Sequence, residues 1–563
     1  MDKKSVILSS SEEPIEIDEH FKLRAGPGAG KTRFLVNHIY RILNYSERLN
    51  KSRKIACITY TNNGAETIVS RLKEVSENVE VSTIHSFLYK HIVKPYLWVL
   101  EGSEFSSEKL NGHEEIKPGY TLLNEYKQKS KQQWIKDNLA LASALSKLRW
   151  GINEEGDIEL NFLKPYHGKV ENRNIRKSSY MIYKEICWNN GLMSHDDVLY
   201  FSYKILLQNV SAREIIRAKF PYLLMDEFQD TNPVQVEVAK LIGKKETVVG
   251  AIGDPAQSIF SFQGADYGTF NRFILDDMSS YVLENNHRST DQIIKILNHV
   301  RNEINFVQRS PDNKVGDHPV IIVGDPFTAL EMFKKKFGSE EWAVLGFQNN
   351  VTNSIKHGFT NFVSEDFDLF YKDNQRGRRI YHIINALEYG YQMQLKEAIK
   401  FMKKAFSKVD NYSDKDALFD LKNFLNKYDD FYTITLKEFY NRYIFNTHGV
   451  KQKITSGNIS EFYEGITYDK FAATISISDD RSQFKTIHKA KGEEYNNVFI
   501  VIPDNNEEKG IEFLLDPDMN KEKNRVYYVA LSRAKENLYI NVSSLSQEKI
   551  NLLKHLGFDI RVL

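Results

Sequence analysis

Residues 25–32 read AGPGAGKT and lead into Phe34, Leu35, Ile39, Ile42 and Leu43, spaced as one apolar helix face. No other stretch restricts the fold as strongly. Three glycines let successive backbone N–H groups turn inward around a polyphosphate, and a helix N-terminus behind them favours negative charge. Ala25, Gly26, Pro27, Gly28, Ala29 and Gly30 form the cradle, Lys31 reaches for β- and γ-phosphates, and the Thr32 hydroxyl is placed to ligate Mg²⁺. Residues 222–230, YLLMDEFQD, supply the remaining chemistry. There an apolar strand (Leu223, Leu224, Met225) delivers Asp226 to the metal and Glu227 to an attacking water. Together and in this order, the two strings predict a site that hydrolyses a nucleoside triphosphate.

At 563 residues the chain is too long for one core and predicts roughly three to four domains. Lys plus Arg (76) nearly cancels Asp plus Glu (75), so a nucleic-acid footprint has to be a local patch rather than a global excess. Two cysteines, Cys57 and Cys187, exclude a disulfide scaffold and a cysteine-based zinc site. The amino-terminal apolar run is too short for a signal peptide, and no run approaches the roughly 18 apolar residues of a membrane helix. The expectation is a cytoplasmic protein without membrane contact.

Short apolar runs at 54–60 (KIACITY), 247–254 (TVVGAIGD) and 497–503 (NVFIVIP) read as buried parallel strands whose carboxyl ends carry the chemistry. Between 88 and 217 the texture becomes charged and helix-permissive, most clearly in LLNEYKQKSKQQWIKDNLALASALSKLRW. A second helical block runs from about 379 to 443, and the polar stretch 446–461 reads as a loop. The fold class is α/β, with helical insertions.

Further strings follow in order: TYTNNGA (59–65), TIHSF (83–87), DEFQD (226–230), GDPAQSIFSFQGA (253–265), NNHRS (285–289), TIHKAKGEEY (486–495) and VYYVALSRAK (526–535). Their order and spacing resemble the UvrD/PcrA/Rep branch of superfamily 1 helicases along nearly the whole chain. The resemblance implies two RecA-like P-loop domains, each with a mainly helical insertion. The boundaries that follow are 1–87 and 218–283 for the first domain, 88–217 for its insertion, 284–378 and 476–563 for the second, and 379–475 for a reduced second insertion. It implies ATP and Mg²⁺ between the domains and 3′ to 5′ movement along single-stranded DNA. Gln257 matches the γ-phosphate sensor, while Arg288 and Arg533 match two arginines that come from the second domain. Such arginines neutralise charge on the transferred phosphoryl group. Arg33 matches a nucleotide-contacting arginine, and Glu494 a carboxylate that holds the ribose. Thr59, Thr61, Asn62, His85 and His488 match DNA contacts, and Phe260 and Phe262 match aromatics that stack on bases.

Departures from the family pattern are equally specific. The glutamine that reads the adenine edge has no counterpart before Gln128, so discrimination of ATP from GTP is expected to be weak. The strand before the phosphate loop, HFKLR, is unusually polar. His287 stands where a tyrosine stacks on adenine, Gln263 replaces an arginine, and Glu493 replaces a leucine. The chain stops 30 residues after Arg533. By size it resembles the helicase-like subunit of Gabija-type anti-phage systems, which works beside a separate nuclease subunit. Two other readings remain: a DNA-stimulated ATPase acting as a regulatory or nucleotide-sensing subunit, and a nucleic-acid-binding scaffold with a dead site. The complete Lys31, Asp226, Glu227 and Arg533 set argues against the scaffold.

Overall fold

The computed structural model describes residues 5–100, 102, 105–116, 118–163, 166–357, 373, 376–407, 409, 411–475, 482–503 and 510–563. The chain divides into two compact units, one of residues 1–316 and 516–532, the other of 317–515 and 533–563.

The first unit opens with β1 (Val6–Ile7), β2 (Phe21–Ala25), β3 (Ile55–Thr59) and β4 (Val79–Thr83). Two small antiparallel pairs follow, β5 (Leu148–Ile152) with β6 (Ile158–Phe162) and β7 (Lys169–Val170) with β8 (Arg173–Asn174). After them come β9 (Tyr222–Met225), β10 (Val248–Gly253) and β11 (Ser279–Leu283). The main sheet has the order β1-β11-β2-β10-β9-β3-β4, with every neighbouring pair parallel. A parallel sheet puts all strand carboxyl ends on one edge, where chemistry collects. That edge carries the phosphate loop after β2, residue 254 after β10 and residue 226 after β9, on three adjacent strands.

Side chains alternate between the two faces of this sheet. Ile55, Cys57, Leu224 and Ile252 join the core of the helix Lys31–Tyr45, through Phe34, Leu35, Ile39 and Ile42. Ala56, Ile58, Leu223, Met225 and Ala251 join a core that continues into the expected first insertion, through Trp150, Trp188, Phe201 and Leu206. The insertion is therefore the second helical layer of the sheet and forms one compact unit with it. Within it, the expected helix over LLNEYKQKSKQQWIKDNLALASALSKLRW breaks into helices Tyr120–Lys129 and Asn138–Leu145, and its end becomes β5. The turn at 153–157 decides that end: Asn153 Oδ1 accepts the backbone N–H groups of Glu155 and Asp157 and folds β6 back on β5.

The second unit holds β12 (Val320–Val323), β13 (Trp342–Gly346), β14 (Phe484–Thr486), β15 (Tyr495–Val501), β16 (Ala534–Val542) and β17 (Asp559–Val562). They form a second all-parallel sheet, β14-β13-β15-β16-β12-β17. Helices Arg376–Tyr391, Leu395–Ala405 and Asp414–Leu425, with shorter ones to Ala472, close around a separate core. In that core Glu388 accepts hydrogen bonds from the hydroxyls of Tyr428 (2.7 Å) and Tyr468 (2.8 Å). The polar stretch expected as a loop at 446–461 runs into a helix, Asn458–Gly465.

Residues 284–316 and the helix Glu522–Leu531, which the resemblance assigns to the second domain, pack in the first compact unit. Arg301 ties the two segments to β10. Its guanidinium is fully buried, with Nη2 2.9 Å and Nη1 3.2 Å from the two carboxylate oxygens of Asp254, and Nη1 also donates to Tyr528 Oη (3.3 Å). Phe306 covers its other face at 3.7 Å. The polar positions of β2 find partners in the same layer: Arg24 pairs with Glu303 and Lys22 donates to Asn271 O (3.1 Å). Removing one member of a buried pair leaves the other charge uncompensated. Arg301→Ala is expected to lower unfolding free energy by about 3–5 kcal/mol, measured by urea denaturation of the full chain.

Candidate active site

The phosphate loop has the backbone its sequence requires. Gly28 (φ 72°) and Gly30 (φ 82°) are left-handed, and a Cβ on Gly28 would stand 2.3 Å from Asn286 Oδ1. Only glycine meets both demands. The helix begins at Lys31, whose Nζ donates to Ala25 O (3.2 Å). Burial lowers the Lys31 pKa, while the carboxylates of Glu227, Asp254 and Asp226 act in the opposite direction and Arg288 adds to the lowering. The five charged groups therefore share one electrostatic environment.

Asp226 leaves β9 with its N–H bonded to Ile58 O (2.8 Å), which fixes it at the strand end. Glu227 then takes a left-handed conformation (φ 54°), costly for a residue with a Cβ and kept where the surroundings hold it. Its N–H donates to Asp226 Oδ1 (3.0 Å), and Gln229 Nε2 donates to its carboxylate. Buried Gln257 donates from Nε2 to Asp254 Oδ2 (2.8 Å). Burial alone would raise the Asp254 pKa, but Arg301 and then Lys31 hold it below the usual carboxylate range.

The segment 285–309 clamps the loop from outside. His287 N–H donates to Gly28 O (3.0 Å) and Gln308 Nε2 donates to Pro27 O (2.8 Å). Arg288 Nη1 donates to Ser532 O (2.8 Å), within the first unit rather than across from the second domain as expected. Asn286 is buried with its amide Nδ2 unpartnered beside Gly28. An orphan donor at a glycine cradle suits a phosphate oxygen. Among the described residues no group of three or more His, Cys, Asp or Glu could hold a metal ion. Thr32 and Asp226 suit a cation that arrives with phosphate, because Mg²⁺ is commonly held by one or two carboxylates together with substrate phosphates.

Farther along the same sheet edge, beyond β3 and β4, lies a groove of about 710 Å³. Thr61, Asn62, His85 and Phe262 line it, as does Tyr60. Phe262 is 56% exposed, whereas Phe260 is 8% exposed and stacks against Tyr60 (centroids 4.7 Å apart). The expectation that both phenylalanines present stacking faces is corrected: Phe260 supports Tyr60 and Phe262 meets the groove. Thr59, also expected at the surface, is buried beneath it. Gln263, where the family pattern has an arginine, accepts a hydrogen bond from Tyr60 Oη. Opposite stand His113 and His195, their Nδ1 atoms 2.6 Å apart. Burial first, then His195 and His113, pushes the His85 pKa down to about 4, so its ring is neutral at physiological pH.

In the second unit, Arg533 and Glu494 precede β16 and β15 at the amino edge of the sheet, while His488 follows β14 at the carboxyl edge. Buried Arg533 donates from Nη1 to Glu493 O (3.0 Å), and Glu494 lies 3.5 Å from Lys535 Nζ. The Glu493 side chain pairs with Lys485 (2.8 Å) and accepts from Tyr495 Oη, a polar set that replaces the expected leucine packing.

Sequence comparisons identify the family. The UvrD/REP helicase N-terminal domain matches residues 10–277, and the UvrD-like helicase C-terminal domain matches 378–545. The chain belongs to the UvrD/REP helicase family. It is 29% identical over 300 residues to the ATP-dependent DNA helicase Rep of Buchnera aphidicola, covering 51% of this chain and 41% of the relative. It is 23% identical over 435 residues to a probable DNA helicase II homolog of Mycoplasma capricolum (72% and 55%). Against the ATP-dependent DNA helicase PcrA of Staphylococcus aureus it is 25% identical over 288 residues (49% and 37%). The chain thus spans about half the length of the curated relatives it matches.

Sequence reasoning missed several residues of this UvrD/REP-family site. Tyr60 stood inside a quoted motif, but its packing on Phe260 is tertiary. His113, His195, Arg301 and Gln308 lie outside every motif, and nothing local marks them.

Two outcomes follow. Glu227→Gln keeps nucleotide affinity, since Lys31 and the loop are intact, and loses turnover by about 10²–10⁴-fold because the amide cannot accept a proton. Nucleotide binding compared with single-turnover hydrolysis checks this, and wild-type turnover would refute Glu227 as base. Phe262→Ala weakens single-strand affinity by about 1–3 kcal/mol, read by oligonucleotide anisotropy, whereas Phe260→Ala instead lowers fold stability by about 3–5 kcal/mol.

Proposed function

We propose that this chain is an ATP-dependent DNA helicase or translocase that moves 3′ to 5′ along single-stranded DNA. One observation carries the reading: a single edge of one parallel sheet holds the phosphate loop, Asp226, Glu227 and Gln257, and then the aromatic groove with Phe262. Hydrolytic chemistry and a stacking surface on adjacent strand ends suit an enzyme in which nucleotide state alters strand grip. Lys31 and the loop amides hold the phosphates, Thr32 and Asp226 hold Mg²⁺, and Glu227 takes the proton of the attacking water. Bound Mg²⁺ supplies neutralisation of phosphate charge. Arg288 and Arg533 bring positive charge to the phosphates. Thr61, Asn62 and His85 bind the strand with Phe262, and Glu494 and His488 add ribose and strand contacts.

Stacking tolerates every base, so the groove suits a motor without sequence preference. The Gabija-type resemblance adds a separate nuclease subunit as partner, with a role in anti-phage defence in the cytoplasm. Among the described residues no helix is long and apolar enough to cross a membrane.

Strand displacement on matched 3′- and 5′-tailed duplexes, run beside ATP hydrolysis, tests the reading. Unwinding of the 3′-tailed substrate alone is expected. DNA-stimulated hydrolysis with neither duplex unwound would establish the regulatory ATPase instead, and the absence of hydrolysis would remove both.

A further inference from the structure

β17 is an outer strand of the second sheet, with β12 as its only neighbour among the described strands. Asp559 and Leu563 donate their N–H groups inward, to Pro319 O (2.9 Å) and Val323 O (2.9 Å). Backbone groups alternate in direction along a strand, so those of Ile560 and Val562 point outward, where a further strand would bond them. Asp559 and Arg561 are both exposed and lie on one face of β17. Neither side chain makes an ion pair or a hydrogen bond among the described residues. Val562 and Leu563 are apolar and exposed, at 69% and 46%. Beside the start of the strand lies a hollow of about 520 Å³, lined by His318, Lys554 and residues 557–561. Its shape is held by His318, whose Nδ1 lies 3.1 Å from Gly557 O, and by buried Phe558.

This edge is complementary to itself. A second copy, antiparallel about a two-fold axis at Ile560, sets the two Ile560 residues opposite each other. Their outward N–H and C=O groups then close two reciprocal backbone hydrogen bonds. Asp559 of each copy stands opposite Arg561 of the other, in the closer-spaced pairs that carry no backbone bond, so two ion pairs form on one face. One step further, Val562 comes opposite Phe558 and Leu563 opposite Gly557. The exposed apolar end of each strand thus runs over the hollow of the other copy. Moving the axis to Arg561 would set guanidinium against guanidinium, and like charges directly opposite are destabilising. Charge therefore selects the register.

We infer that the second unit pairs with a second copy of this chain through β17, joining the two six-stranded sheets across one two-fold axis. The interface is isologous, so each contact occurs twice. A four-residue edge buries little area, which makes the association weak and concentration-dependent rather than obligate. Pairing consumes both β17 edges, so assembly stops at two copies. Nothing in this contact depends on nucleotide or DNA.

Sedimentation velocity of the full chain, across a concentration series that reaches high micromolar, tests the pairing. Wild type is expected to shift from monomer toward dimer along the series. Asp559→Arg and Arg561→Asp each turn both ion pairs into like-charge pairs and are expected to raise the dimer dissociation constant about tenfold or more. The double variant Asp559→Arg/Arg561→Asp restores dimerisation. An equimolar mixture of the two single variants forms the heterodimer, because each then meets its opposite charge at both positions. The mixture also separates lost pairing from lost folding, since an unfolded variant cannot pair. A wild type that stays monomeric throughout the series overturns the inference. So does a dimer that the single reversals leave intact, or a loss that either the double variant or the mixture fails to restore.

Discussion

The buried pairing of Arg301 with Asp254 holds the first unit together at its chemical centre. Asp254 follows β10, carries Gln257 on one oxygen and faces the guanidinium fork with both. Its backbone N–H is in turn held by Gln229 Oε1 (3.0 Å), one step from Glu227. Through Arg301 the same carboxylate anchors the helix Asp291–Arg301 and meets Tyr528 on the helix Glu522–Leu531. An ion pair this deep is favourable only when geometry and extra hydrogen bonds offset desolvation. Here Arg301 Nη1 hydrogen-bonds Asp254 and Tyr528, and the Phe306 ring lies over the guanidinium. Without it, neither the clamp on the phosphate loop nor the orientation of Gln257 has a fixed reference.

The parallel sheet converts this local lock into a site. Because β2, β10 and β9 are neighbours, groups far apart in sequence reach one edge with no long loop to order. The left-handed backbone at Glu227 concentrates strain next to Asp226, where Gln229 holds the Glu227 carboxylate. Next along the edge the chemistry changes from charge to stacking. The groove walls bring Tyr60, Phe262 and three imidazoles together, and His85 is kept neutral by burial. The same lining also carries Glu115, Arg149, Lys184, Asp196 and Asp230, both signs of charge in one groove.

The division between legible and hidden features follows interaction range. Lys31, Asp226 and Glu227 stood out in the sequence because the chemistry proposed for them needs fixed residue types at fixed local spacing. The strands at 55–59, 248–253 and 495–501 were readable because buried parallel strands are apolar on both faces. Phe260 and Phe262 were indistinguishable by sequence, being two residues apart in one motif. Burial separated them, since Tyr60 covers only the first.

What the sequence determined by itself is the glycine-rich loop, the acidic pair that follows β9, the family and the two parallel sheets, all set by short-range backbone demands and hydrophobic pattern. Tertiary structure alone decided that residues 284–316 and 516–532 belong to the first unit and that the first insertion shares the sheet's core. Those outcomes depend on which partner fills each buried valence. A guanidinium at 301 and a carboxylate at 254 find each other only once the sheet has brought the intervening chain back on itself.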